Sequence, residues 1–171
     1  MPFSEHLLPE FDEEMKNTRK MLECVPDHAL EYRPHPKSMP MGRLATHIAE
    51  IPSWTTSAID HEVLEMPADF KPRLAQSRQE LLEIFDKSVA EARGKIAGAS
   101  DEHWRKTWTF KFAGQTLMSM PRSVVMRSMI MNHLIHHRAQ LGVFLRLKDV
   151  AIPGMYGPSA DEPNMFRAQS A

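Results

Sequence analysis

The chain has 171 residues, of which 42% are hydrophobic and 25% charged, with a formal net charge of -1. That length builds one ordinary core without staples, so a bound metal is expected to serve chemistry more than folding. The near-neutral balance, without a basic patch interleaved with aromatics, gives no electrostatic case for nucleic acid, and no stretch approaches about 18 uninterrupted apolar residues, which argues against a membrane.

The opening Met1-Pro2-Phe3-Ser4-Glu5-His6 lacks the basic start and apolar run of a signal peptide, so a cytoplasmic protein is expected. Ser4 is placed to cap a first helix running to about Glu23, with Leu8, Phe11, Met15, Thr18 and Leu22 on one face and Pro26 stopping it. The single cysteine, Cys24, excludes an internal disulfide and a Cys-based zinc cluster and reads as a small buried hydrophobe. Pro26 to Pro40, with four prolines, reads as a connector.

A second helix begins at Met41 with the inward stripe Leu44, His47, Ile51, Trp54 and Ala58, and Pro52 bends it about one turn past His47. A lone inward histidine is more often a hydrogen-bonded core residue than a ligand. Glu65 to Pro72 reads as a loop. The third helix starts at the capping box Ser77-x-x-Glu80 and ends at Gly98.

After a turn at Asp101 to His103, Trp108, Phe110 and Phe112 alternate with Thr109 and Lys111, the pattern of a short extended arm turning at Ala113-Gly114. Pro121 suits the first turn of a fourth helix that runs past His137 to about Leu147. The tail from Asp149 reads as an extended loop in which Met155 and Tyr156 fold back. Four amphipathic helices must bury their stripes against one another, which predicts an all-α four-helix bundle forming a single domain over 1–171.

The fourth helix carries the chemistry. In Asn132-His133-Leu134-Ile135-His136-His137-Arg138-Ala139-Gln140-Leu141 three imidazoles fall within five residues. At about 100° per residue, His133 and His137 stand one turn apart and can aim two nitrogens at one point, which is half of a metal site. His136 lies at the edge of that face. A His-x-x-x-His pair by itself also arises by chance or as core histidines.

Three segments together resemble the DinB-like superfamily, which includes YfiT-type metal-dependent proteins and the bacillithiol and mycothiol transferases. They are Arg33-Pro34-His35-Pro36-Lys37-Ser38-Met39, then Gly42-Arg43-Leu44-Ala45-Thr46-His47-Ile48-Ala49-Glu50, and above all His133 to Leu141. The aromatic arm and Met155-Tyr156-Gly157-Pro158-Ser159 extend the likeness over most of the chain. The family often has Gly after the Arg where this chain has Ala139.

The resemblance implies an up-down-down-up bundle in which one histidine of the second helix and two of the fourth hold a divalent ion. By motif these are His47, His133 and His137, the same residues that the helical wheels turn inward. Three neutral imidazoles leave a further position for water or substrate, and zinc, nickel, manganese and iron all suit them. The expected activity is attack of an activated thiol or water on a small electrophilic substrate, as a thiol S-transferase or hydrolase, with a low-molecular-weight thiol as candidate cosubstrate. No catalytic residue is assigned. Glu50 and His136 are candidates for orienting an imidazole or moving a proton, against a plain salt bridge for Glu50 and an exposed structural role for His136. The similar proteins often form homodimers. The competing reading is a noncatalytic metal-binding protein of a stress response.

Overall fold

The computed structural model describes residues 2–163. Helix α1 spans Phe3–Glu23 and buries Leu7, Phe11, Met15, Thr18 and Leu22 at helical spacing. Leu8, expected on that stripe, is only partly buried at its border. Ser4 is not the cap. The helix begins two residues earlier, with Pro2 at the N-cap, and the Ser4 hydroxyl donates to the Ala99 carbonyl at 3.0 Å and accepts from Trp104 Nε1 at 2.8 Å. A buried indole N–H needs an acceptor, and that demand outweighs local capping. Cys24 is half-buried rather than buried.

Helix α2 (Met41–Glu50) and helix α3 (Ser53–Asp60) are separated at Ile51 and Pro52, where the proline has no N–H to continue the ladder. The connector before them lies flush on the first turn of α2. Gly42 N donates to the Leu30 carbonyl at 2.8 Å, and a Cβ on Gly42 would stand 3.0 Å from Leu30 Cβ, so this approach needs glycine. Helix α4 (Arg78–Gly98) starts on Ser77, whose hydroxyl accepts from Glu80 N. The capping box is half-made, because the Glu80 carboxylate turns to Gln76 N at 2.9 Å.

The turn expected at Asp101 to His103 is a short helix, α5 (Asp101–Arg105), capped by Ser100. The fourth helix is also not one α-helix. It comprises α6 (Arg122–Val125), a π-helical segment Met126–Asn132, and α7 (His133–Arg146). Nothing in Met-Arg-Ser-Met-Ile-Met-Asn announces a wider turn, since these residues suit either geometry. α1 and α2 each pack on both α4 and α7, enclosing a core that includes Phe11, Leu44, Ile48, Phe85 and Leu141.

The all-α expectation is corrected by a three-stranded sheet, in the order β1-β2-β3. β2 (Thr107–Phe112) and β3 (Gln115–Pro121) form the expected arm as an antiparallel hairpin with a register shift between Phe110 and Lys111, turning through Ala113 and Gly114 at φ values of 48° and 80°. β1 (Val63–Met66), part of which was expected to be loop, pairs in parallel with β2 from Val63↔Thr109 to Met66↔Phe112. A four-residue strand whose partner lies far along the chain leaves no local periodicity to read.

Arg122 locks the sheet's root to α3. It is 3% exposed, and Nε donates to the Ala58 carbonyl at 2.7 Å while Nη2 donates to that of His61 at 2.9 Å. These acceptors lie where a helix end leaves its carbonyls free and favours a cation. A second small core of Ala58, Trp108 and Val125 fills the space beneath the strands.

The tail does fold back on the helices. Tyr156 Oη donates to Glu14 Oε1 at 2.8 Å and accepts from Arg138 Nη2 at 2.7 Å. Arg138 Nη1 also donates to the Glu14 carbonyl and Thr18 Oγ1, both at 3.1 Å, and Nη2 lies 2.7 Å from Glu14 Oε2. That last contact is a close ion pair rather than a well-directed hydrogen bond. With side chains 2% and 9% exposed, Arg138 and Glu14 are costly to part. Glu14→Ala should cost roughly 3–5 kcal/mol in urea unfolding by stranding the guanidinium. The double variant Glu14→Leu/Arg138→Met should recover most of that loss, and equal losses in the single and double variants would contradict the pairing.

Candidate metal centre

His47 comes from α2, while His133 and His137 stand one turn apart at the start of α7. The π segment ends where α7 begins, so the i,i+4 relation of the pair survives the wider turn before it. The structure brings the three rings together. His133 Nε2 lies 2.7 Å from His137 Nε2 and 3.4 Å from His47 Nε2, and the three candidate ligand atoms all fall within 4.8 Å of one another. The Trp54 ring, on α3, covers one side at 5.5 Å from His47 and 5.4 Å from His133, centroid to centroid.

The opposite nitrogens fix which way these rings face. His133 Nδ1 lies 3.3 Å from the Met129 carbonyl, which can only accept, so this nitrogen carries the proton. The His133 backbone N–H goes to the Ile130 carbonyl, three residues back, instead of the Met129 carbonyl it would meet in an α-helix. His137 Nδ1 donates to Gln140 Oε1 at 2.7 Å. With both Nδ1 protonated, the neutral rings turn two Nε2 lone pairs toward each other at 2.7 Å. A shared proton or a metal cation between them relieves that approach.

Imidazole nitrogens held about 2.0–2.1 Å from one ion stand roughly 2.9 Å apart at a right angle and roughly 3.3 Å apart at a tetrahedral angle. The separations of 2.7 and 3.4 Å fall near these values. The donor set therefore fits a divalent ion of borderline softness.

Electrostatics keep the rings in their ligating form. Burial, then the neighbouring His137 and His133, then Arg43 push the His47 pKa from 6.5 to about 3. His133 is lowered by burial and by His137, against the bond to Met129. His137 is lowered chiefly by burial, with His136 and Arg43 adding, against its bond to Gln140.

The other candidates lie at the margin. Glu50 stands 3.6 Å from Arg43 along α2, and its carboxyl is raised by burial despite Arg43 and Arg73. It bonds no imidazole among the described residues. His136 is exposed, with its ring centroid 4.9 Å from that of His137. The partners that do orient imidazoles are Gln140 and the Met129 carbonyl. Gln140 was legible as the residue three beyond His137, on the same helix face. A main-chain acceptor leaves no sequence signal. Ala139 is exposed and bonds none of the three rings.

The DinB family model matches residues 1–169. An uncharacterized protein of Bacillus subtilis (strain 168), YrdA, is 26% identical over 165 residues, covering 92% of this chain and 90% of its own. Among solved structures, a DinB-like protein from Bacillus cereus ATCC 10987 aligns with a TM-score of 0.71 at 22% identity, over 91% of this chain and 98% of its own. The DinB-like protein YjoA from Bacillus subtilis aligns with a TM-score of 0.67 at 15% identity, over 88% and 96%. At these identities the solved structures support the fold.

The depressed His47 pKa sets a direction for stability against pH. Unfolded, His47 takes a proton near 6.5, whereas folded it resists down to about 3. The unfolded state therefore binds more protons in that window, and stability falls as pH drops through it. Chelator-treated protein should lose melting temperature steadily below about pH 6.5. His47→Phe should flatten that slope, and a slope unchanged by this variant would contradict the shift.

Proposed function

Because the chain belongs to the DinB family and gathers three histidines from two helical segments, we propose that His47, His133 and His137 hold a divalent metal ion at the reaction centre of an enzyme acting on a small electrophilic molecule. The observation that carries this is the convergence of the Nε2 atoms, with protonated Nδ1 nitrogens turned outward onto Met129 O and Gln140. A bound ion of this class supplies Lewis acidity that lowers the pKa of a thiol or water and makes a nucleophile at neutral pH. The reaction read from this is thiol S-transfer or hydrolysis.

The chain's own residues do the rest. Burial and the Arg43 charge keep the imidazoles neutral, the form that donates to a cation. Trp54 screens one side from water. Glu50, half-buried beside Arg43 with a raised pKa and three residues after His47 on the same helix, is assigned to proton transfer. Around the site, the fold is read as one domain whose four helical stretches, α1, α2–α3, α4 and α6–α7, run up-down-down-up.

Elemental analysis of protein purified without a metal-binding tag is expected to find one divalent ion per chain, absent from His47→Ala, His133→Ala and His137→Ala. Turnover should follow the metal when thiols are offered with an epoxide or chloroaromatic acceptor. Metal without turnover across thiols and esters would favour the noncatalytic stress-response reading, and no metal would overturn both. Gln140→Ala should weaken metal affinity by about 10- to 100-fold in chelator competition, as loss of an imidazole's orienting partner does. Unchanged affinity would remove Gln140 from that role.

A further inference from the structure

Helix α2 reaches solvent along one line. Seven of its ten residues are buried, and the three that are not, Arg43, His47 and Glu50, recur at i, i+4 and i+7 on one face. Arg43 therefore stands one turn before His47 and Glu50 about one turn after it, so a molecule that meets the His47 ring from solvent on this face meets their charges too. The Arg43 charge is felt at the imidazoles, where it adds to the lowering of the His47 and His137 pKa values.

The Arg43 guanidinium is only partly committed. Its Nη1 is shut from solvent, with Glu50 Oε2 at 3.6 Å, too far for a hydrogen bond. Nε and Nη2 bond no protein atom among the described residues and are not shut in with Nη1, on a side chain that is 21% exposed. These two nitrogens form the side-on edge that takes a carboxylate through two parallel bonds. The chain uses that edge twice elsewhere. Arg19 holds Asp86 through Nε at 2.8 Å and Nη2 at 3.0 Å, and Arg93 holds Asp12 in the same way at 2.9 and 3.0 Å. On Arg43, one turn from a candidate metal ligand, no carboxylate among the described residues takes it.

We propose that Arg43 Nε and Nη2 receive the carboxylate of the molecule whose thiol faces His47, His133 and His137, which makes the cosubstrate a small carboxylate-bearing thiol rather than a neutral one. The inference deepens the proposed function and rests on it for the thiol, whereas the carboxylate contact belongs to Arg43 alone. Arg43 thus selects among thiols without ligating anything itself. A lysine in its place keeps the charge and loses the fork.

The probes are 3-mercaptopropionate and its methyl ester, which keeps the thiol and removes the charge, titrated into the zinc-loaded full chain. Binding is read from the Trp54 indole N–H resonance of ¹⁵N-labelled protein, since that ring lies 5.5 Å from His47. The acid should bind at least about tenfold more tightly than the ester, as a bidentate charge-assisted pair does. Arg43→Gln should bring the acid down to the affinity of the ester and leave the ester and the zinc content unchanged. Arg43→Lys should recover only part of the preference. Equal binding of acid and ester by the wild-type chain would overturn the proposal, and so would a preference that survives in Arg43→Gln. A chain that takes up no zinc would defeat the metal centre separately. Propionate titrated into the metal-free chain then decides the carboxylate site: a saturable shift of the Arg43 Nε–H resonance supports it, and a linear one overturns it.

Discussion

Two lone pairs turned toward each other at 2.7 Å are the constraint around which this molecule is arranged. Left alone, neutral imidazoles rotate or take up a proton to escape such an approach. Here both routes are opposed: the Nδ1 hydrogens of His133 and His137 are already committed outward, and burial lowers the pKa of both rings. The third ring, His47, joins the pair from a separate helix, and the three stand close enough to hold a metal ion.

Helix α7 makes that arrangement rigid by being anchored on two faces. One face presents His133 and His137. The adjacent residue Arg138 points the other way, into a buried set of contacts with Glu14, Thr18 and Tyr156. A buried guanidinium held by main-chain and side-chain oxygens resists rotation of the helix, so the imidazoles cannot turn away without unpairing it. Tyr156 brings the tail into the same set of contacts. Arg138 is thus structural, while Gln140, two residues further on, holds the His137 ring.

The sheet plays a different part. With Arg122 holding its root to the end of α3, it roofs the apolar space beside Trp54. The helices supply the ligands, and the strands shape what can lie next to them.

The histidine pair on α7 and the inward turn of His47 were legible in the sequence because an α-helix maps residue spacing onto direction with little dependence on surroundings. The same holds for the break at Pro52, the Ser77 cap and the hairpin turn at Ala113-Gly114, each fixed by local stereochemistry. What only the tertiary structure decided depends on partners distant in the chain. β1 exists because β2 offers it an edge. Ser4 bonds a buried indole rather than its own helix. The π segment before His133 is one of several windings those residues permit, and packing selected it. The sequence determined which side chains could bind a cation, because spacing along a helix is an intramolecular ruler. Whether their lone pairs would meet was settled by long-range packing, since the distance between two helices is encoded in no single stretch of either.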